Sequence, residues 1–351
     1  MDADLILEGG GVKGIALVGS YTALSEAGYD FHRIAGTSAG AIVGALIAAG
    51  MSPGDLKGVM REIDYGRFED KGFIDHLGLV GKGASLLFEK GIYEGSYLRA
   101  FMDEQLKALG VETFGDLRID DPGASPGDAK AYRLVVMTSD VTRARLVRLP
   151  WDYEQYGLDP DTQRVADAVR ASMSIPFFYE PVRFTSRDAE GKEATSYMVD
   201  GGMLSNFPVW LFDVDSPGRP LLRPTFGFTL TGGKGVGGGL NAAVSRMPWA
   251  VRFGADIFHT SQEAWDARFV SHSTRVRTVT VDAGNVGTTD FNLPVSAQDM
   301  LIANGRDAAK RFLDRFDLAD YENTYHRTFA GAGDAAPAAV VSEPQLAGRT
   351  T

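Results

Sequence analysis

The chain has 351 residues, more than a typical single domain, although a large α/β unit of this length can fold as one domain with insertions. The net charge of -11 at pH 7 disfavours nucleic acid as a partner and purely electrostatic docking on anionic lipid, because both require clustered Lys and Arg. The sequence contains no cysteine, which excludes disulfides, thiolate zinc sites and a cysteine nucleophile.

The first elements of the chain alternate in the order strand, glycine-rich turn, helix. The apolar run 5–7 predicts a strand that stops at consecutive glycines, and apolar residues recur at helical spacing over 15–24. The pattern repeats with a strand at 33–35, a second turn of small residues and an apolar helix at 41–49. This alternation predicts an α/β fold with a mainly parallel central sheet and helices on both faces.

The rest of the chain continues the same pattern. Strands are expected at 133–138, 144–149, 197–199, 225–230 and 276–281, and helices at 165–171 and 297–313. Gly- and Pro-rich breaks separate them at 120–130, 216–224 and 231–240. Residues 330–351 are rich in Ala, Gly and Pro, which predicts a disordered tail after a single domain over 1–329.

The motif Gly36-Thr37-Ser38-Ala39-Gly40 is the first that indicates chemistry. It fits the pattern G-x-S-x-G, in which a serine stands on a tight turn between a strand and a helix. Such a turn lifts the hydroxyl out of the sheet and directs the positive end of the helix towards an oxygen that gains negative charge. The motif predicts Ser38 as a nucleophile, and a plain helix-starting turn is the alternative.

The segment Gly9-Gly10-Gly11-Val12-Lys13-Gly14 fits two kinds of site. Its glycines satisfy G-x-G-x-x-G between a strand and a helix, and Asp30 follows at the distance of a ribose-binding acid, as in dinucleotide sites. Alternatively, residues without a Cβ allow backbone N–H groups to converge on an oxyanion, and Lys13 adds positive charge. A bare tight turn is the third interpretation.

A third motif, Asp200-Gly201-Gly202, follows the short strand at 197–199. An aspartate beside two glycines at a strand end is often only a turn residue. If Asp200 reaches Ser38, however, its carboxylate can take the hydroxyl proton as the general base of a two-residue system.

Taken in order, these motifs resemble those of patatin-like phospholipases. The likeness rests on Glu8-Gly9-Gly10-Gly11-Val12-Lys13-Gly14, Gly36-Thr37-Ser38-Ala39-Gly40, the segment from Ala171 to Phe178, and Asp200-Gly201-Gly202. The core motifs span residues 5–208 of a domain over 1–329, with a weaker likeness at 291–293. The resemblance implies an α/β sandwich around a mainly parallel sheet.

The resemblance also implies a function: hydrolysis of phospholipids, lysophospholipids or neutral acyl esters without a metal or cofactor. Ser38 is then the nucleophile, Asp200 the base, and Gly9 to Gly14 the oxyanion hole. Glu8 and Lys13 depart from the Asp and Arg of many relatives, and Lys lacks the bidentate fork of Arg. The alternative is an NAD(P)-binding oxidoreductase that uses Gly9, Gly11 and Gly14, which leaves Ser38 and Asp200 without a role.

Other side chains receive secondary interpretations. Phe177 and Phe178 are candidates for an acyl channel, with core packing as the alternative. Asp140 is expected to be a structural cap rather than a second base. No metal-ligand spacing links the histidines, which we expect at surface or core positions: His32, His76, His259, His272 and His326.

The start of the chain, Met1-Asp2-Ala3-Asp4, lacks the basic and apolar segments of a secretory signal. A cytoplasmic location is the default expectation, and export by a dedicated system stays open. The most apolar run, 39–49, is shorter than the ~20 residues that span a bilayer. The expected partner is a lipid or acyl ester, with peripheral membrane contact, and nothing in the sequence specifies an oligomeric state.

Overall fold

The fold consists of a mixed β-sheet and the helices beside it. The computed structural model describes residues 1–63, 95–121, 131–176, 178–187, 191, 193–213, 223–232, 253, 260–261, 275–288, 290 and 293–331. The strands β1 to β8 are Asp2–Leu7, Asp30–Thr37, Leu134–Asp140, Arg145–Leu149, Val182–Arg187, Glu193–Asp200, Thr225–Thr231 and Thr278–Asp282. The helices α1 to α7 are Ile15–Glu26, Ala39–Ala48, Pro53–Glu62, Ser96–Ala108, Val165–Ser172, Val295–Leu313 and Leu318–Gly331.

The strands are arranged in the order β5-β6-β3-β2-β1-β7-β8, and β4 also pairs with β3. The pairs β1/β2, β1/β7, β2/β3 and β7/β8 are parallel, whereas β4, β5 and β6 are joined by antiparallel pairing. All seven residues of β3 are buried, as is typical of a strand covered on both faces. The predicted α/β fold with a mainly parallel sheet is therefore confirmed.

Strand β3 brings two distant parts of the chain together. Its first half pairs with β2, ending at Thr37 opposite Met137. Its second half pairs with β6, beginning at Thr138 opposite Asp200. Because β6 continues along β3 from the point at which β2 stops, the ends of these two strands meet at adjacent residues of β3. The residue after Thr37 and the last residue of β6 are thereby placed side by side.

Two buried clusters occupy the two faces of the sheet. The larger contains Leu5, Leu7 and Ile34 from the strands, together with the buried faces of helices such as α2, all of whose residues are buried. The smaller contains Ile6 and the other inward-facing strand residues, and the chain segment Phe207 to Phe212 covers it. Since successive strand residues point to opposite faces, these assignments follow from the alternation along β1.

Every strand and helix predicted from the sequence is present, with ends that differ by a few residues. Strand β5 and helices α3, α4 and α7 were not predicted. Helix α7 includes residues 330 and 331, which the sequence placed in the tail, and residues 332–351 lie outside the described residues. Among the described residues, no helix combines the length and apolar character needed to cross a bilayer.

Candidate active site

Ser38 is the single residue between the end of β2 and the start of α2. Its backbone adopts φ 53 and ψ -122, a conformation that non-glycine residues rarely take, and its side chain is buried. The turn is tight, since a Cβ at Gly36 would lie 2.3 Å from the Gly40 carbonyl oxygen, and Gly40 also lies close to the end of β1. A Cβ at Gly40 would lie 2.3 Å from the Leu7 carbonyl oxygen, so only glycine fits there. The strand-turn-helix context predicted for the G-x-S-x-G motif, including Gly36, Thr37 and Ala39, is therefore present.

The loop Gly9–Gly14 follows β1 and leads through a 3-10 turn into α1. Gly11 has φ 55, and a Cβ there would lie 2.0 Å from the Thr288 carbonyl oxygen, which also accepts the Val12 N–H at 3.1 Å. The N–H groups of Gly10 and Gly11 donate to no other described residue. These two amides therefore remain able to donate to a bound oxyanion.

Glu8 and Asn206 fix this loop from one side, a role that the sequence did not indicate. The Glu8 carboxylate accepts from the Asn206 side-chain amide at 3.1 Å and from the Leu230 backbone N–H. The same Asn206 amide donates to the Gly9 carbonyl at 3.1 Å, and the Gly9 N–H returns a bond of 3.3 Å to the Asn206 carbonyl. Asn206 lies six residues after Asp200, so this clamp joins the oxyanion and aspartate motifs.

Asp200 ends β6 and is 1% exposed. Its carboxylate accepts the Gly202 N–H at 2.8 Å, within the 3-10 turn that Gly201 begins. Burial raises the pKa of Asp200 to about 7, and hydrogen bonds from the Ser38 hydroxyl and the Gly202 amide oppose this rise. A carboxyl with a pKa near neutrality is suited to general base catalysis.

The Ser38 hydroxyl has two neighbouring acceptors for its one proton. One is the Asp200 carboxylate, whose pKa it lowers, and the other is the Met173 thioether, at 3.3 Å from the Ser38 Oγ. A thioether is a weak acceptor, so the ionised carboxylate is the stronger partner. The register of the sheet brings Asp200 beside Ser38, and Met173 is an additional neighbour.

The other site predictions have mixed outcomes. Phe178 is buried in the larger core cluster, which favours packing over an acyl channel, and Phe177 lies outside the described residues. Asp140 accepts bonds from the Thr142 and Arg143 backbone and from the Tyr156 hydroxyl, which confirms a structural cap. Lys13 closes the 3-10 turn through its N–H to the Gly10 carbonyl at 3.2 Å.

Histidine is represented among the described side chains by His32 alone. It lies early in β2 and is 3.8 Å from Asp121, whereas Ser38 follows the far end of the same strand. Six residues of strand separate the two by roughly 20 Å. The side chains of the other four histidines lie outside the described residues. Throughout the described ranges, no three His, Asp or Glu side chains are grouped to hold a metal ion.

The dinucleotide interpretation fails on the position of Asp30. In such sites the ribose-binding acid lies near the glycine loop, at the carboxyl ends of the strands. Here Asp30 pairs with Asp2 at the start of β1, while the loop follows Leu7 at the end of that strand. Five residues of strand correspond to roughly 17 Å. Asp30 therefore cannot contact a ribose bound at Gly9, Gly11 and Gly14.

Several known proteins are similar in sequence to this chain. The family model "Patatin-like phospholipase" matches residues 5–213. An uncharacterized protein of Bacillus subtilis, YqhO, is 34% identical over 316 residues, which cover 90% of this chain and 99% of that protein. Lysophospholipase nte1 of Aspergillus niger is 30% identical over 210 residues, but these make up only 10% of that protein and 58% of this chain.

A solved structure shows the same fold. VipD from Legionella pneumophila superposes with a TM-score of 0.50 at 18% sequence identity, over 89% of this chain and 66% of VipD. The family match covers more than half of the chain, and it contains Ser38, Asp200 and the whole glycine loop. The chain belongs to the patatin-like phospholipase family.

Proposed function

We propose that this protein is a lipid acyl hydrolase of the phospholipase A, lysophospholipase or esterase type, with Ser38 as nucleophile and Asp200 as base. Family membership supports a lipid hydrolase in general. The observation that carries the finer proposal is the register of the sheet, which ends β2 and β6 at adjacent residues of β3, so that Ser38 lies beside a buried carboxyl whose pKa is raised to about 7. The likeness to lysophospholipase nte1 favours lipid esters over other acyl substrates.

The reaction has two steps, acylation of Ser38 and hydrolysis of the acyl-enzyme. Asp200 takes the proton of Ser38 as its Oγ bonds to the ester carbonyl carbon, and the amides of Gly10 and Gly11 hold the resulting oxyanion. The C–O bond to the alcohol then breaks, and the alcohol leaves with that proton. Water then attacks the acyl-enzyme: Asp200 removes a proton from the water as the water oxygen bonds to the acyl carbon. The bond from that carbon to the Ser38 Oγ then breaks, and Ser38 recovers a proton from Asp200 as the fatty acid leaves.

Three parts of the proposal concern the wider molecule. The domain extends over residues 1–331 and so includes the whole of helix α7, two residues beyond the predicted boundary. No metal or cofactor takes part in the chemistry. The substrate is presented by a lipid surface, so the protein makes peripheral membrane contact during turnover.

Hydrolysis of lysophosphatidylcholine and of p-nitrophenyl butyrate tests the proposal. Ser38→Ala should abolish turnover of both, because the attacking oxygen is removed while a small residue still fits the turn. Asp200→Asn should lower kcat by at least ~100-fold, because the shape remains and the base is lost. Ser20→Ala removes a fully buried hydroxyl between α1 and α6 and should retain the wild-type rate. Turnover by folded Ser38→Ala would contradict the assignment.

A further inference from the structure

Three consecutive residues, which we call the bracket, lie next to the proposed pair: Ser172 and Met173 contact Ser38, and Ser174 contacts Asp200. They lie at the end of α5 and directly after it, and all three are buried. The bracket belongs to the segment from Ala171 to Phe178, which resembles the family but to which the sequence assigned no role. The contacts of the bracket indicate a role for it.

The Ser172 hydroxyl stands between β2 and β3 at the point where their pairing ends. It accepts the Ser38 backbone N–H at 2.8 Å and donates to the Met137 carbonyl at 2.6 Å. Thr37, the residue before Ser38, is paired with Met137 in the sheet. The hydroxyl therefore extends the connection between the two strands by one residue, through a side chain instead of a direct backbone bond.

The backbone of Ser38 requires such support. Its φ of 53 is a sparsely populated conformation for a residue with a side chain. Such conformations persist only where neighbouring contacts hold them, and a buried N–H without an acceptor would weaken them further. Ser172 supplies the acceptor for that N–H.

Ser174, at the other end of the bracket, is hydrogen-bonded to the proposed base, Asp200. The Ser174 carbonyl accepts the Asp200 backbone N–H at 2.9 Å. Arg170, which is 6% exposed, donates to the Ser174 hydroxyl at 2.6 Å and to the Glu180 carbonyl at 2.9 Å. One short, braced segment thus bonds to the backbone of both Ser38 and Asp200.

We propose that Ser172 is a positioning residue that sets the orientation of Ser38 towards Asp200. This inference rests on the proposed function, because it assigns Ser172 a role in the Ser38 reaction. Ser172 touches no reacting atom. Its hydroxyl holds the Ser38 backbone in the conformation from which the Ser38 Oγ can reach both the base and the ester carbon.

Ser172→Ala tests this role through the split between kcat and KM for p-nitrophenyl butyrate. We expect kcat to fall by about 10- to 100-fold, because small misplacements of a reacting group cost this much. KM should change little, and the midpoint of the pH profile should rise, because the Ser38 hydroxyl that lowers the pKa of Asp200 is no longer held towards the carboxylate. Ser172→Thr retains the hydroxyl and should recover most of the rate. In hydrogen exchange, the Ser38 amide should exchange faster in Ser172→Ala.

Ser20→Ala is the matched control, because its hydroxyl is equally buried and donates to the Gly305 carbonyl at 2.9 Å, outside the site. Wild-type kcat in folded Ser172→Ala, or an equal loss in Ser20→Ala, would overturn the role of Ser172. If Ser172→Ala does not fold, Ser172→Cys replaces it, since a thiol is a weak acceptor and should also be slow. Turnover by Ser38→Ala would instead overturn the proposed function.

Discussion

At the residue scale, the pKa of Asp200 determines how the rate depends on pH. Burial raises this pKa to about 7, and only the ionised carboxylate can accept the Ser38 proton. Hydrolysis of a non-titrating ester should therefore rise with pH and reach half its maximum near pH 7. The measurement is kcat/KM between pH 5 and 9. A rate that is constant over this range, as a carboxyl of ordinary pKa would give, would contradict the base assignment.

The same pKa predicts an effect on stability. The pKa of Asp200 is higher in the folded state than the ordinary value of about 4, so the folded protein binds this proton more tightly. That contribution is complete below about pH 4 and is lost as the pH rises through 7. Asp200→Asn should therefore raise Tm more at pH 8 than at pH 5. An equal shift at both pH values would show that the carboxyl is not desolvated.

A dyad mechanism predicts that no histidine is the base. Single replacement by Gln should leave substantial activity in all five variants, at His32, His76, His259, His272 and His326. In a triad, loss of the imidazole would cost several orders of magnitude in rate. Rates are compared with Asp200→Asn on variants whose circular dichroism is native. One histidine variant as inactive as Ser38→Ala would make Asp200 a supporting acid.

At the element scale, the structure distinguishes two substitutions in the glycine loop, Gly10→Ala and Gly11→Ala, for which the sequence predicts the same effect. A Cβ at Gly10 would meet only the end of the Leu230 side chain, which can move, whereas a Cβ at Gly11 would meet the Thr288 backbone. Gly10→Ala should therefore change Tm little. It should slow the reaction by raising the activation barrier by up to ~3 kcal/mol, because it disturbs an amide that holds the oxyanion. Gly11→Ala should lower Tm as well. A large loss of Tm in Gly10→Ala would support a structural turn instead.

The elements that carry motifs could be predicted because their signals are local. Ser38 is marked by the glycines around it, and the loop of Gly9 to Gly14 by its own composition. The roles of Ser172 and Asn206 could not be predicted, because they depend on contacts with parts of the chain that are distant in sequence. Ser172 bonds to the Ser38 and Met137 backbone, and Asn206 bonds to the glycine loop, and no local pattern reports such contacts.

At the scale of the whole molecule, a buried charge cluster stabilises the sheet away from the site. Asp4 accepts from Arg33 and, at 2.8 Å, from Arg223, which also binds Asp121 at 2.7 Å. Both carboxylates are 1% exposed at the side chain. Asp4→Asn should lower the free energy of unfolding by up to about 3–5 kcal/mol, because it leaves two partly buried cations under-compensated.

Denaturant unfolding measures this loss, and the kcat of folded Asp4→Asn should equal that of the wild type. Glu26→Gln is the control, because the Glu26–Arg306 pair is exposed and should contribute under about 1 kcal/mol. If both variants lose the same small amount, the cluster is not a major source of stability.

The α/β class of the whole molecule followed from the alternation of strands and helices. Strand β5 was missed because its polar residues mask the apolar alternation, and α3 and α4 were missed because each buries only two or three residues. Helix α3 does carry a start signal, since the Ser52 hydroxyl accepts the Asp55 N–H ahead of Pro53. The order of strands in the sheet depends on tertiary packing, which no single segment encodes.

The most direct test of the central claim is the site and rate of labelling by a fluorophosphonate, which reacts with an activated serine. Peptide mapping by mass spectrometry should find the adduct on Ser38 in the wild type and no adduct in Ser38→Ala. Asp200→Asn should react at least ~100-fold more slowly, because the base that activates Ser38 is absent. An adduct on another residue, or wild-type labelling of Ser38 in Asp200→Asn, would contradict the Ser38/Asp200 mechanism.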